Sequence, residues 1–438
     1  MLKDFKELLK KKSTLYFGIY FSIILIYTLT RHSVDFYPFW MITRKILYAN
    51  DDLYNKYIAF SYPPFFYCVM SFFAQFTSKV ALLLWDIFNI SLLTITVILI
   101  KRILNYKEEN NINVLNNINF SENKFIIPVF IVALVIISDN LWLGQSNILV
   151  FFFSVLSLYF FIQKDDRRKS PWDDFLSGLC LSFAISIKVT PLLLLLYFLY
   201  KRNFKILPGT IIGLILFFLI IPSCYYGLDK NLIFLKDFVH QVFLPFFKND
   251  IYIRETVYYG HSNQSLDGFI VRHFSDFGKI TYADKLLGKF HNFIDPAFLT
   301  INQAKNISTI IKISLLTVCA LAFTNSFKKN PTLLKFEFAI VFLLILFISP
   351  SSWLNHYVSV LFAYYVSVNY IFSKGIDKTN QKILKYILVI SALFTCTGLN
   401  KELQSYSGMF IGHFILFLGL LFILFKEKNS SVPFHMGR

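Results

Sequence analysis

One carboxylate in the sequence stands where a base could act on a substrate. Asp35 lies in a short segment rich in aromatic residues, directly after the first long apolar run. A carboxylate beside a low-dielectric surface is costly unless it is used or paired, and its pKa tends to rise. A raised pKa suits a general base. An aspartate that only caps the next helix would look the same in the sequence, so both interpretations of Asp35 stay open.

One lysine interrupts an apolar run where a charge is expensive. Lys188 lies between Ile187 and Val189, close to Pro191. A lysine at membrane depth is tolerated when its ammonium group reaches the membrane surface or meets an anion. A lipid phosphate is the anion we expect at the outer side of the membrane. Snorkelling to the surface is the alternative.

Three further segments place amides, an arginine and a histidine at predicted turns. They are 139–147 with Gln145 and Asn147, 261–272 with Asn263, Gln264 and Arg272, and 349–357 with His356. Amide and hydroxyl side chains suit the hydroxyl groups of a sugar, and arginine can clamp a phosphate. Histidine can donate hydrogen bonds to a phosphate because its charge changes near neutral pH. Each segment could also be an ordinary polar turn, so it is their collection on one face of the membrane that indicates a site.

The elements that must position these side chains are membrane helices. Of 438 residues, 56% are hydrophobic and only 16% are charged, and apolar runs of about helix-spanning length recur along the chain. A water-soluble chain of this length would need a far more polar surface. The 52 Phe and 25 Tyr residues supply many rings suited to the membrane interface. The sequence therefore predicts an all-α integral membrane protein that crosses the bilayer many times.

Counting the apolar runs predicts about 12 spans. The runs are 15–30, 80–100, 125–138, 147–163, 175–187, 190–200, 206–221, 307–325, 336–349, 356–373, 385–398 and 408–425. A further stretch, 65–78, follows two prolines, and we assign it to the interface or to a re-entrant segment. Several runs are shorter than the roughly 20 residues of a straight span, so some helices must end in protein-lined or watery cavities.

The positive charge of the chain indicates orientation in the membrane. The formal net charge is +17, but the basic residues stand in short clusters between apolar runs, such as Lys101-Arg102 and Lys201-Arg202. This is the distribution of the positive-inside rule, so we place these clusters in the cytoplasm and expect no nucleic-acid partner. The first apolar run follows a basic start without a small-residue cleavage signature, and we interpret it as a retained span.

With the amino terminus inside, four segments face the outside of the membrane. They are 31–64, 139–146, 222–305 and 349–356, the segments that also carry most of the polar residues described above. The Asn-rich segment 110–123 is predicted to be a flexible cytoplasmic loop. Five scattered cysteines show no paired spacing, so neither a disulfide framework nor a metal site is predicted.

On these residues the sequence resembles glycosyltransferase family 87, the polyprenol-phosphate-mannose-dependent mannosyltransferases of GT-C fold. The resemblance is an ordered set of short motifs over about residues 31–360, and the spans beyond about 375 do not contribute to it. The motifs are Asp35 with Tyr37, Tyr62-Pro63-Pro64, Gly144-Gln145-Ser146-Asn147, Gly178 through Lys188 with Pro191, Asn263-Gln264-Ser265-Leu266 with Arg272, and Ser349-Pro350 through Trp353 with His356.

The resemblance implies a polytopic GT-C-type helix bundle with helical extracytoplasmic loops. It makes residues 1–438 a single transmembrane glycosyltransferase domain, with a first outer loop at 31–64, a large outer loop at 222–305 and C-terminal spans at 375–438. The implied reaction moves a hexose, usually mannose, from a polyprenyl-phosphate carrier to a lipid or glycan acceptor outside the cytoplasm. The implied location is the plasma or cell inner membrane.

The resemblance also assigns roles to residues. Asp35 would be the catalytic base, and Lys188, Arg272 and His356 would hold the carrier phosphate. Gln145, Asn263 and Gln264 would line the sugar pocket. Tyr62 and Asn147 belong to the matching motifs and are predicted to contact substrate as well.

The expected mechanism is a direct displacement with inversion, without a cofactor. The charge that grows on the leaving phosphate is best stabilised by fixed cations beside it. A monophosphate needs less neutralisation than a diphosphate, and the outer segments show no acidic cluster of the metal-binding type, so we expect no obligatory divalent metal. The main alternative is a lipid-linked-sugar flippase or another transporter, which should show polar residues through several spans and internal repeats. A non-catalytic membrane scaffold is a further alternative.

Overall fold

The protein is helical throughout the part of the chain that the structure describes. The computed structural model describes residues 12–30, 33, 35–49, 62–105, 126–163, 170, 172–244, 260–275, 299–323, 331–373 and 376–430. Within these ranges β structure is confined to an isolated parallel bridge between Ser275 and Leu299. The predicted all-α class is therefore confirmed.

The chain divides into two compact units. The first comprises Met1–Ile103, Ile137–Phe198 and Asn203–Ile253, and the second comprises Leu104–Ile136, Leu199–Arg202 and Arg254–Arg438. The prediction of a single domain over residues 1–438 stays a prediction.

Eleven α-helices are described before residue 245. They are α1 (Lys12–Thr30), α2 (Phe36–Ala49), α3 (Pro64–Phe73), α4 (Ser78–Leu104), α5 (Ile126–Leu143), α6 (Asn147–Gln163), α7 (Asp173–Ile187), α8 (Leu192–Tyr200), α9 (Leu207–Leu214), α10 (Ile221–Tyr226) and α11 (Leu228–Phe238). A 3-10 turn, Phe204–Ile206, leads into α9, and a π-helical segment, Ile215–Ile220, joins α9 to α10.

Seven more α-helices are described after residue 260. They are α12 (Leu266–Phe274), α13 (Ile301–Ala322), α14 (Pro331–Ile348), α15 (Val360–Phe372), α16 (Lys378–Thr395), α17 (Lys401–Ser405) and α18 (Gly408–Ser430). All belong to the second unit, in which α16 and α14 both pack against α18.

Five helical segments are long and apolar enough to cross a membrane. They are Ser78–Leu104, Phe204–Tyr226, Ile301–Ala322, Lys378–Leu399 and Gly408–Lys428. Each of the twelve apolar runs predicted as a span overlaps a described helix. The chain is thus a multi-pass integral membrane protein, and the number of about 12 crossings stays a prediction.

The stretch 65–78 forms only a short helix. Helix α3 has ten residues, Pro64–Phe73, and a turn separates it from α4. At 1.5 Å per residue it is about 15 Å long, roughly half the hydrocarbon thickness of a bilayer. This length agrees with the interfacial or re-entrant assignment and is too short for a straight span.

Helix α7 packs very closely against the segment that begins α9. A Cβ atom added at Gly178 would lie 2.2 Å from the backbone oxygen of Ile206 and 2.6 Å from the backbone nitrogen of Thr210. Small residues that let helix backbones approach are typical of helix packing in membranes, where lipid removes most of the hydrophobic drive. This contact helps to fix α7, the helix that ends beside Lys188.

The two long segments predicted to lie outside the membrane, 31–64 and 222–305, are described only in part. Residues 50–61 of the first lie outside the described residues, as do 245–259 and 276–298 of the second. The predicted cytoplasmic loop at 110–123 lies outside them as well. The described parts of 222–305 are largely helical and include α11 and α12.

Candidate active site

The start of α2 is held against the turn between α5 and α6. The hydroxyl of Ser33 donates a hydrogen bond to the backbone oxygen of Leu143 (2.6 Å) and accepts one from the backbone N–H of Phe36 (3.2 Å). Gly144 in this turn has φ +65°, and a Cβ atom there would lie 2.5 Å from the Cβ of Phe36. Glycine, which has no Cβ atom, therefore tolerates both the left-handed backbone conformation and the close approach of Phe36. The turn brings position 145 beside Asp35.

A chain of hydrogen bonds ends on the carboxylate of Asp35. The side-chain amide of Gln145 donates from Nε2 to Asp35 Oδ2 (2.5 Å). The hydroxyl of Tyr62 donates to Gln145 Oε1 (3.1 Å) and accepts from the hydroxyl of Ser146 (3.3 Å). Asp35 Oδ1 makes no hydrogen bond to any residue in the described part of the chain. One carboxylate oxygen is held, and the other can meet an acceptor hydroxyl.

Lys188 lies in the break between α7 and α8. Helix α7 ends at Ile187, and Lys188 itself has an extended backbone (φ −150°, ψ 129°). Its ammonium group donates to Asn147 Oδ1 (2.9 Å) and lies 5.9 Å from the centroid of the Tyr62 ring, close enough for a cation–π contact. Asn147 is the first residue of α6, so the start of one helix orients the cation at the end of another.

The charges of Asp35 and Lys188 influence one another. Burial raises the pKa of the Asp35 carboxyl, while the hydrogen bond from Gln145 and the positive charge of Lys188 act against that rise. Burial lowers the pKa of Lys188 to about 7, and the negative charge of Asp35 limits this fall. Desolvation is the largest cause in both groups. Asp35 carries its charge above its raised pKa, and Lys188 carries its charge below about 7.

A second carboxylate belongs to the same region. Asp139, in the last turns of α5, interacts electrostatically with Asp35. Two neighbouring carboxylates disfavour each other's charged form. The cluster of Asp35, Asp139 and Lys188 therefore combines a base of raised proton affinity with a cation that can meet an anion.

Asn263 and Arg272 belong to the second unit, where they connect three loops. Asn263 donates to the backbone oxygen of Pro350 (2.9 Å) and accepts from the backbone N–H groups of Ser265 and Ser352 (3.0 Å each). The guanidinium of Arg272 is 3% exposed and donates to the backbone oxygens of Gly260 (2.7 Å) and Asn263 (2.6 Å). It also donates to the hydroxyl of Ser407 (2.6 Å). Both side chains thus hold the described structure together.

Gln264 and His356 lie on two of the segments that Asn263 connects. Gln264 follows Asn263 directly, and His356 follows the segment Pro350–Ser352 to which Asn263 is hydrogen-bonded. Gln264 Nε2 donates to the backbone oxygens of His261 (2.7 Å) and Gln404 (2.8 Å). His356 Nδ1 accepts from the backbone N–H of Trp353 (3.1 Å). An acceptor at Nδ1 places the proton of a neutral imidazole on Nε2, because one ring nitrogen of neutral histidine carries the proton. His356 is therefore set to donate from Nε2.

The structure divides the predicted site residues between the two units. Asp35, Tyr62, Gln145, Asn147 and Lys188 come together in the first unit, and Asn263, Gln264, Arg272 and His356 belong to the second. That all nine serve one site stays a prediction. Within the described residues, no group of three or more His, Cys, Asp or Glu side chains could hold a metal ion.

Reasoning from the sequence missed three contributors to the first group. Asp139 begins the segment 139–147 described above, but its electrostatic interaction with Asp35 depends on how the chain folds at that turn. Ser33 precedes α2 by three residues, a spacing typical of a helix cap, which was the available signal. Ser146 also lies in a noted motif, but nothing in the sequence links it to Tyr62.

Comparison with known proteins identifies a family match over most of the chain. Residues 60–350 match glycosyltransferase family 87. Asp35 and His356 lie outside the matched residues, whereas Tyr62, Gln145 and Lys188 lie inside them. No curated protein matches the chain.

Two solved structures are similar to the chain. The crystal structure of ArnT from Cupriavidus metallidurans bound to undecaprenyl phosphate has 14% sequence identity and a TM-score of 0.42, covering 96% of this chain and 80% of that chain. The structure of the same protein in the apo state has 13% identity and a TM-score of 0.34, covering 93% of this chain and 77% of that chain.

Proposed function

The chain belongs to glycosyltransferase family 87 and is a membrane glycosyltransferase, and from this premise we propose that it uses a polyprenyl-phosphate-linked hexose. The proposed sugar is mannose, and the proposed acceptor is a hydroxyl group of a lipid or glycan. We place the reaction at the extracytoplasmic face of the plasma or cell inner membrane. The basic clusters between the apolar runs support this orientation.

One observation carries the proposal at the level of chemistry. A half-buried carboxylate with one oxygen held by Gln145 lies within electrostatic reach of a lysine in a helix break. Glycosyl transfer from a phosphate carrier requires a base for the acceptor and a cation for the leaving phosphate. Asp35 and Lys188 supply these two groups from one cluster.

The proposed reaction is a single displacement. Asp35 Oδ1 takes the proton of the acceptor hydroxyl as the acceptor oxygen forms a bond to the anomeric carbon. The bond from that carbon to the phosphate oxygen breaks, and the electron pair leaves with the polyprenyl phosphate. Attack from the face opposite the leaving group inverts the anomeric configuration. Lys188 stabilises the charge that grows on the phosphate.

The roles proposed for the other residues rest either on a hydrogen-bond geometry or on the family resemblance. The Nε2–H of His356 supports a hydrogen bond to the carrier phosphate. The phosphate role of Arg272 and the sugar-pocket roles of Asn263 and Gln264 rest on the family resemblance. Tyr62 orients Gln145, and Asn147 orients Lys188. Tyr62 and Asn147 are also proposed to lie beside bound substrate.

The test is sugar transfer by the purified protein in lipid nanodiscs. Polyprenyl-phosphate-mannose is the first donor, followed by polyprenyl-phosphate-glucose, with a panel of lipid and glycan acceptors. Wild type is compared with Asp35→Asn, which keeps the shape and removes the base. Asp229→Asn is the matched control, because Asp229 is an exposed aspartate at the start of α11.

We expect transfer by wild type and by Asp229→Asn, and a loss of about a hundredfold or more with Asp35→Asn. Size-exclusion profiles and thermal unfolding show whether each variant is folded. Equal transfer by Asp35→Asn would assign the base to another residue. Translocation of the lipid-linked sugar without transfer to any acceptor would favour the flippase alternative.

A further inference from the structure

Gln145 was predicted to line the sugar pocket, but its side chain is directed at the base. Its Nε2 donates to Asp35 Oδ2 and its Oε1 accepts from the Tyr62 hydroxyl, so both ends of the amide are engaged. The side chain is 4% exposed. A buried amide with both ends in hydrogen bonds has one defined orientation.

From this geometry we infer that Gln145 is a positioning residue for Asp35, with Tyr62 fixing which end of its amide faces the carboxylate. The catalytic role inferred for Gln145 rests on the proposed function. The hydrogen bonds of Gln145 to Asp35 and Tyr62 lie within the described residues of the first unit.

The orientation of the amide matters because its two ends have opposite effects. With Nε2 toward Asp35, the amide donates to the ionised carboxylate and stabilises the form that accepts a proton. With Oε1 toward Asp35, two acceptors would face each other and the ionised form would be disfavoured. Tyr62 donates to Oε1, so a flipped amide would lose two hydrogen bonds at once.

Other groups near Asp35 also influence its ionisation. The positive charge of Lys188 favours the ionised form of Asp35, and the negative charge of Asp35 in turn raises the pKa of Asp139. Tyr62 influences Asp35 indirectly, through its hydrogen bond to Gln145. Gln145 is the neighbour that combines a direct hydrogen bond with a fixed direction, so it sets both the position and the proton affinity of the carboxylate.

The inference predicts a specific change in pH dependence. In Gln145→Leu the donor to Oδ2 is lost, so the ionised form of Asp35 is less favoured and the acid limb of the kcat/KM profile moves to higher pH. Gln145→Glu should move the limb further in the same direction, because it places another carboxylate beside Asp35. Tyr62→Phe should give a smaller movement of the same sign. At the acidic end, transfer by Gln145→Leu should fall by roughly tenfold.

A second readout does not depend on sugar transfer. Dicyclohexylcarbodiimide reacts with protonated carboxyl groups in apolar surroundings, so peptide-resolved labelling of Asp35 against pH reports its proton affinity directly. The labelling midpoint should move upward in the same order of variants. Gln75→Leu is the matched control, because Gln75 is an exposed glutamine in the turn after α3, and its profile should equal that of wild type.

The outcomes separate the alternatives. An unmoved acid limb together with a raised KM for the donor would return Gln145 to the sugar pocket and overturn the inference. An unmoved labelling midpoint in both Gln145→Leu and Tyr62→Phe would overturn it as well. If wild type transfers no sugar but the labelling midpoint moves as expected, the proposed function fails while the inference about Gln145 is supported.

Discussion

At the scale of residues, the first unit joins two groups whose charges depend on each other. Asp35 without Lys188 would be a carboxylate whose burial favours the neutral form, and Lys188 without Asp35 would lose its proton more easily. They can be charged together only above the raised pKa of Asp35 and below about pH 7, the pKa of Lys188. Loss of the Lys188 proton therefore sets the alkaline edge of this window.

This window leads to a prediction for Lys188→Arg. Wild-type kcat/KM should fall above about pH 7 as Lys188 loses its proton. Arginine stays protonated throughout this range, so the alkaline limb should disappear in the variant while the acid limb remains. Lys188→Met should reduce transfer at every pH. The measurement is the kcat/KM profile between pH 5 and 9, with Lys79→Arg as control, since Lys79 is an exposed lysine near the start of α4. An alkaline limb unchanged in Lys188→Arg would assign that limb to another group.

At the scale of elements, helix ends and breaks position the cluster. Asp35 precedes α2, Gln145 lies between α5 and α6, and Lys188 lies between α7 and α8. Helix ends offer polar side chains the freedom to approach one another, whereas a side chain inside an apolar run faces lipid or a packed neighbour. The position of each break therefore depends on how tightly the flanking helices pack.

For α7, a substitution at Gly178 tests whether tight helix packing fixes the position of the break. Gly178→Leu should destabilise the protein by about 1–3 kcal/mol, because the side chain would overlap the backbone of Ile206 and Thr210. The thermal unfolding midpoint should fall, and sugar transfer should fall with it as Lys188 moves. Gly18→Leu is the control, since a Cβ atom at Gly18 would meet no described atom outside the backbone of its own helix within 4 Å. An unchanged midpoint in Gly178→Leu would mean that α7 and α9 can separate freely.

The sequence predicted the elements better than their contacts. Apolar runs predict helices because a long uncharged segment in a bilayer must satisfy its own backbone, and every predicted run overlaps a helix. Asp35 and Lys188 could also be singled out from the sequence, since a charge is expensive in the surroundings of each, and their role in a site stays a prediction. The partner of Gln145 was not predictable, because an amide serves a sugar and a carboxylate equally well. The packing of Gly144 on Phe36, together with the hydrogen bond from Ser33 to Leu143, brings the amide to the carboxylate.

At the scale of the whole molecule, the orientation in the membrane decides which substrates reach the cluster. The proposed orientation places the segment 222–305 outside the cytoplasm. Cys224 lies near the end of the apolar segment Phe204–Tyr226 and is exposed, whereas the other four cysteines are buried or partly buried.

Cys224 therefore offers a direct test of orientation. A membrane-impermeant maleimide added to intact cells should label the protein, and Cys224→Ser should abolish that labelling. Labelling only after the membrane is permeabilised would place Cys224 in the cytoplasm and invert the proposed orientation. Cys396→Ser, at a partly buried cysteine, should leave the labelling unchanged.

The chain order of the hydrogen-bonded cluster also has a consequence for biogenesis. Asp35 emerges from the ribosome first, Gln145 much later and Lys188 last of the three. At about 5–20 residues per second, roughly eight to thirty seconds separate the synthesis of Asp35 from that of Lys188. During that interval the carboxyl lacks both the burial and the Lys188 charge that set its pKa in the completed fold, so a newly inserted α1–α2 segment would carry an ordinary aspartate. Asp35 would acquire its raised pKa only when α5, α6 and α7 are in place, which makes completion of the first unit a condition for the proposed activity.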